Sequence, residues 1–272
     1  MRRPNQLLTL PSLLALLVLC GACQRAEPSA GRTAMDASIR RGRALLVATR
    51  DSLPAHVGNN LRCTSCHLDE GRRATSFPWV GVTARYPQYR SRIDAVSTIE
   101  DRINDCFERS MNGAPLPADS RDMRDIVAYM ASLSAATLAG DTAAGGARPA
   151  MKPLAPDTTR GAQLFTARCE LCHGDHGQGT LVAPALWGDS SFNIGAGMAR
   201  LRTAAAFIRH NMPYGDATLT DQQAFDVAAY IDSRPRPDFP GKEHDWPRGD
   251  APPDVAYPTI AGRAKAASHH SR

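Results

Sequence analysis

Four of the seven cysteines in this 272-residue chain fall into two short motifs, Cys63-Thr64-Ser65-Cys66-His67 and Cys169-Glu170-Leu171-Cys172-His173. The C-x-x-C-H pattern serves one specific chemistry: two thiols capture the two vinyl groups of a porphyrin, and the adjacent imidazole is delivered to the iron. The competing readings are a redox Cys pair or half of a zinc site. A His after both pairs favours two covalently attached haems c.

Each iron then needs a sixth ligand or an open position. From His67 to Cys106 is 39 residues, and from His173 to Met212 is also 39. Met111, 44 residues after His67, competes with Cys106, which would then be a buried structural cysteine. His210 competes with Met212, but two residues earlier on a helix it points away from the Met212 face. His56 and His176 read as local hydrogen-bonding residues.

On an α-helix through Ile99 to Met111, residues Arg102, Cys106, Arg109 and Ser110 share one face, and Gly113 reads as the terminator. A thiolate on iron lowers the reduction potential relative to a His/Met pair. Flanking cations favour that thiolate and attract an anion, which makes a small anion pocket beside an unusual haem. The bland alternative pairs Arg102 and Arg109 with Asp101, Asp105 and Glu108 on a solvated surface, or uses the arginines to neutralise haem propionates.

The elements that must position these residues repeat. Arg41-Gly42-Arg43-Ala44-Leu45 and Arg160-Gly161-Ala162-Gln163-Leu164 precede the motifs, and Asp125 to Met130 resembles Asp226 to Ile231 after them. Helices are expected over 37–49 and 158–168, the second capped by Asp157, with Gly42 and Gly161 where a later helix crosses closely. Tyr129 and Tyr230 are natural aromatic partners there. Leu201, Ala204, Ala205, Ile208 and Met212 share a helix face that Pro213 ends, and Thr220 to Gln223 forms a capping box. No stretch alternates like a strand, so the fold class is all-α.

Arg2 and Arg3 before a short apolar stretch and Gly21-Ala22 read as an export signal over 1–23, with Cys23 placed for ordinary cleavage nearby or for a lipid anchor. The protein is therefore expected in the periplasm. Two haem domains follow at 36–135 and 157–234, joined by an Ala/Gly/Thr/Pro-rich linker over 136–156 and followed by a Pro-rich arm and tail over 235–272. Seven prolines from Pro235 to Pro258 forbid a helical domain, yet Trp246 and Tyr257 call for burial, so the arm should wrap the body while 263–272 stays disordered. With 43% hydrophobic and 22% charged residues the chain is neither a multi-span membrane protein nor disordered. Its net charge of +5 is spread without basic runs, which argues against nucleic acid.

Asp101-Arg102-Ile103-Asn104 through Cys106, Arg109-Ser110-Met111-Asn112-Gly113 and Asn211-Met212-Pro213-Tyr214-Gly215, set around two C-x-x-C-H motifs, resemble the dihaem thiosulfate dehydrogenases that form tetrathionate. The resemblance spans roughly Ile39 to Tyr257. It implies two tandem domains of the cytochrome c fold, His67/Cys106 ligation at an active-site haem and His173/Met212 at an electron-exit haem. It carries a substrate site onto Arg92, Arg102 and Ser110, with Cys106 as tuning ligand or covalent participant. Some members carry Lys before the second Met; Asn211 stands there in this chain, against a Lys/Met ligand exchange. A soluble c-type cytochrome would accept the electrons. A plain dihaem electron carrier and the haem subunit of a larger sulfur-oxidising complex are the alternatives, and Cys106 with its arginines speaks against the first.

Overall fold

The computed structural model describes residues 30–134 and 151–270. The expected export signal, Cys23 and most of the linker lie outside the described residues. No helix among the described residues is long and apolar enough to cross a membrane.

Ten α-helical segments follow in order among the described residues: α1 Ala30–Val47, α2 Thr49–Ser52, α3 Leu68–Gly71, α4 Ile99–Asp105, α5 Arg121–Ser134, α6 Thr158–Arg168, α7 Glu170–His173, α8 Leu201–Asn211, α9 Asp221–Asp232 and α10 Ile260–His270. The one strand pair among the described residues is an antiparallel hairpin, β1 Gln88–Arg90 with β2 Ala95–Ser97, in the register Gln88 to Ser97.

Each half is built on one helix crossing, α1 on α5 and α6 on α9. The glycines make the crossings possible: a Cβ at Gly42 would stand 1.9 Å from the Asp125 carbonyl oxygen, and one at Gly161 would stand 2.0 Å from that of Asp226. The same carbonyl-bearing aspartates are then clamped through their side chains. Arg41 pairs with Asp125 at 2.6 Å and Arg160 with Asp226 at 2.8 Å, so the repeated Arg-Gly dipeptide supplies both the gap and the partner. Asp226 also accepts from the backbone N–H of Asp157 at 2.7 Å, and Asp157 caps α6 as expected.

Tyr129 lies edge-on to Trp79, and Tyr230 packs on Phe165 and Trp187. Leu46, Phe107, Met123 and Ile126 fill the first core and Phe165, Ala205, Phe225 and Val227 the second. Phe192, Ala196 and Ala199, from the second half of the chain, belong to the first core, so the halves are welded rather than strung together. The capping box at Thr220 and Gln223 forms, and an unforeseen one at Thr98 and Asp101 starts α4.

The arm wraps the body as expected, with Trp246 and Tyr257 buried. Backbone N–H groups of Gly188, Ile194 and Trp246 bond across to Pro235, Pro237 and Arg92. The expectation of a disordered tail is corrected over 263–270: beyond the last proline, at Pro258, nothing forbids intrahelical hydrogen bonds, and α10 forms, while 271–272 lie outside the described residues. Gly113 is also reassigned. Asn112 takes the left-handed turn at φ 49°, whereas Gly113 lets the His56 carbonyl approach, since a Cβ there would meet it at 1.9 Å.

Candidate active site and haem centres

In the first half, a 3₁₀ turn over Cys63–Ser65 presents both thiols and leads into His67. The His67 ring stacks on Trp79 at 4.7 Å, and its Nδ1 donates to the Phe77 carbonyl at 2.6 Å. Burial pushes the imidazole down to about 4, so it is neutral at ordinary pH. With Nδ1–H committed to a carbonyl, Nε2 keeps its lone pair for a metal.

Across a cavity of about 220 Å³ stands Cys106, whose Sγ accepts a hydrogen bond from Arg102 Nη1 at 2.9 Å. The Cys106 sulfur raises the Arg102 guanidinium above its ordinary value, against the opposite pull of burial. Phe77, Trp79, Val82, Ile99 and Met130 make the walls apolar. Arg85, Tyr86 and Gln88 also line it, from the segment leading into β1. No sequence spacing pointed to them, because the hairpin that folds them back over His67 is set by tertiary packing. Met111 is buried in the first core and does not line the cavity.

The expected common face of Arg102, Cys106, Arg109 and Ser110 does not form. At Cys106 the helix widens into a π-turn, Cys106–Ser110, in which Met111 N–H donates to the Cys106 carbonyl five residues back. The extra residue rotates everything after Cys106 away from the register that α-periodicity assigns. The carbonyls of Glu108 and Arg109 accept from Asn193 and that of Ser110 from Asn59. Arg109 turns to the arm and makes a two-pronged pair with Asp245 at 2.8 and 2.9 Å, its guanidinium 4.2 Å from the centre of the Phe239 ring. The solvated-surface alternative therefore fails for Arg109, which is buried.

Arg92 follows Arg109 to the arm. Its Nη1 donates to the Gly195 carbonyl at 2.8 Å, its guanidinium lies 4.4 Å from the Trp246 ring centre, and burial with repulsion from Arg109 pushes it down to about 10. Neither Arg92 nor Ser110 lines the cavity that holds Cys106. The structure thus brings together His67, Arg102 and Cys106, and leaves Arg92 and Ser110 off the cavity wall.

In the second half, α7 carries Cys172 and His173, and His173 Nδ1 donates to the Pro184 carbonyl at 2.8 Å. Burial lowers this imidazole as well. Met212 sits at the C-terminal end of α8 and packs, with Cys169, Leu186 and Trp187, against the second core. The two centres share a clasp. Thr75 Oγ1 donates to Asn211 Oδ1 at 2.8 Å, Asn211 Nδ2 donates to the Thr75 carbonyl at 3.1 Å, and the Phe77 and Phe207 rings stack at 5.9 Å. Phe77 thus holds His67 with its carbonyl and meets, through its ring, the helix that ends at Met212. A lysine in place of Asn211 has no acceptor for Thr75.

Both donor sets fit a c-type haem: a free thiol pair in each motif, a neutral imidazole with Nδ1 anchored, a soft sulfur in the distal segment and apolar walls. No three His, Cys, Asp or Glu side chains among the described residues are placed to hold a metal ion between them. The SoxA/TsdA cytochrome c domain family matches residues 55–137, and the cbb3-type cytochrome c oxidase subunit III family matches 156–231. These matches assign a cytochrome c domain, with one covalently bound haem c, to each half. A thiosulfate dehydrogenase of Psychrobacter arcticus is 46% identical over 227 residues, 80% of this chain and 69% of that protein. One of Allochromatium vinosum is 45% identical over 218 residues, 76% of this chain and 81% of that protein. Among solved structures, the thiosulfate dehydrogenase TsdBA of Marichromatium purpuratum, in its as-isolated form, superposes with a TM-score of 0.76 at 38% identity. The match covers 85% of this chain and 53% of that one, so this chain spans about half of the TsdBA polypeptide. By sequence over most of its length, and by a fold that reproduces both haem domains, the chain belongs to the thiosulfate dehydrogenase family.

Proposed function

We propose that this enzyme joins two thiosulfate ions into tetrathionate in the periplasm and passes the two electrons to an external c-type cytochrome, with the reverse reduction of tetrathionate open to the same site. The observation that carries the proposal is the Arg102–Cys106 contact at 2.9 Å facing His67 across an apolar cavity. His67 and Cys106 would hold the first haem, His173 and Met212 the second, with Cys63, Cys66, Cys169 and Cys172 as the covalent attachments. When bound, the two haems supply storage for one electron each.

The reaction forms one S–S bond between two dianions and releases two electrons and no proton. Its main electrostatic obstacle is repulsion between the dianions, which a fixed buried cation offsets. Arg102 supplies that cation beside Cys106, and Arg85 lines the same wall. Arg102 draws the anion to the Cys106 sulfur and steadies that sulfur, which serves as tuning ligand or forms a transient S–S bond to one thiosulfate as the two electrons leave, and departs as thiolate when the second thiosulfate attacks that bond and gives tetrathionate. Arg92 and Ser110 lie outside the cavity wall, Ser110 in the π-turn and Arg92 against Gly195 and Trp246, so they would act on the anion only from beyond that wall.

The test is anaerobic addition of thiosulfate to the oxidised dihaem protein, followed by visible spectroscopy and a tetrathionate assay under ferricyanide. Reduction with one tetrathionate per two electrons is the expected result. Cys106→Met should keep both haems and lose most turnover; full activity in that variant overturns the proposed site.

A further inference from the structure

The two haem motifs differ in how far the polypeptide covers them. Cys63, Thr64, Ser65 and Cys66 are all half-buried. In the second motif Cys172 is exposed and Leu171 is 93% exposed. Thr180 Oγ1 donates to the Cys172 carbonyl at 2.6 Å, and Thr180 N–H closes a tight turn onto the Ala183 carbonyl at 2.8 Å. That turn sets Leu181 and Val182, 106% and 77% exposed, beside the attachment cysteine. Leu171, Leu181 and Val182, three large aliphatic side chains within twelve residues, are left uncovered by the polypeptide and border the second haem attachment, where a redox partner would meet the haem edge.

The charge around them is specific too. The chain carries +5 overall, yet this rim carries Glu170 and Asp175, and its one arginine, Arg168, is engaged by Asp216 at 3.0 Å. An apolar centre with an acidic rim suits brief, electrostatically steered contact with an oppositely charged partner. We propose that Leu171, Leu181 and Val182, rimmed by Glu170 and Asp175, form the docking surface for a soluble redox protein whose own apolar electron-transfer edge is ringed by basic side chains. The proposal rests on the reading that electrons leave this chain for an external protein. It adds which face they leave by and what chemistry recognises it.

The test uses the dihaem holoprotein reduced with dithionite, so that thiosulfate plays no part. Stopped-flow mixing with an oxidised, basic mitochondrial-type cytochrome c should give a second-order rate that falls with ionic strength. Leu181→Ser with Val182→Ser should lower that rate about tenfold while reduction of ferricyanide stays unchanged, and Asp175→Lys should lower it and flatten its salt dependence while reduction of ferricyanide, an anion, does not slow. Wild-type rates in the double variant, or a rate that rises with salt, overturn the docking surface and leave an external acceptor in place. A reduced wild-type protein that passes electrons to ferricyanide and to no cytochrome overturns the external-protein reading, and the surface with it. Sedimentation as a dimer that the double variant converts to a monomer assigns the patch to a second copy and also overturns the proposal. The predicted rate pattern in a protein that thiosulfate does not reduce would uphold the surface while the dehydrogenase reading falls.

Discussion

Arg102→Gln leaves a polar amide on a shorter side chain and removes both the charge and the Nη1 donor. In the structure the guanidinium Nη1 lies 2.9 Å from the Cys106 sulfur, on the wall of the cavity between Cys106 and His67. A hydrogen bond to a charged group contributes about 1.5–3 kcal/mol, and each 1.4 kcal/mol is about tenfold in rate or affinity. The expected loss in kcat/KM is therefore about 10- to 150-fold. How it divides is informative: a residue that only gathers the anion raises KM and spares kcat. Arg102 also steadies the Cys106 sulfur, so both parameters should worsen. Arg102→Lys restores the charge without the planar fork and should recover part of KM and less of kcat. The assay is steady-state thiosulfate oxidation with ferricyanide, alongside a haem count and the visible spectrum of each variant. A kcat/KM within twofold of wild type, in an Arg102→Gln protein holding both haems, refutes the assignment.

Two further predictions concern the frame. Asp226 is 1% exposed in its side chain and accepts from Arg160, from Gln222 and from the Asp157 backbone; Asp226→Ala strands those donors and should cost about 3 kcal/mol, or roughly 6–12 °C in Tm by calorimetry. Burial raises the Asp226 pKa, but Arg160 and the other donors outweigh it and hold the carboxyl below its ordinary value. Its contribution is thus present above about pH 4 and lost as pH falls through the folded-state value, so the gap in Tm between wild type and variant should narrow below pH 4 and stay level above it. Gly161→Ala would drive a Cβ to 2.0 Å from the Asp226 carbonyl oxygen and part α6 from α9, at about 1–3 kcal/mol. Gly31→Ala, on α1 with nothing within 4 Å of its Cβ, should be neutral or gain up to about 1 kcal/mol. Equal Tm changes in the two glycine variants would refute the crossing argument.

What the residues alone determine is whatever depends on spacing along the chain or on a local backbone requirement. The two C-x-x-C-H motifs and the shared 39-residue interval were legible because covalent attachment fixes Cys and His within one turn. The Asp157 cap, the Thr220 capping box, the end of α8 at Met212 and the close crossings at Gly42 and Gly161 were legible because each follows from one or a few side chains acting on their own backbone. Long-range pairing decided the rest. The π-turn at Cys106 leaves carbonyls that Asn59 and Asn193 accommodate, and Asn193 comes from the other half of the chain. Arg109 leaves the cavity because Asp245, 136 residues later, meets it bidentately; a buried guanidinium goes where its carboxylate is, and no helical wheel contains that carboxylate. Arg85 and Gln88 join the cavity, and Arg92 leaves it, through the same folding of the β-hairpin and arm against the body. Chemistry written into adjacent residues is readable from the chain. The orientation of a charged side chain in a buried site is not, because it is set by whichever distant partner satisfies it.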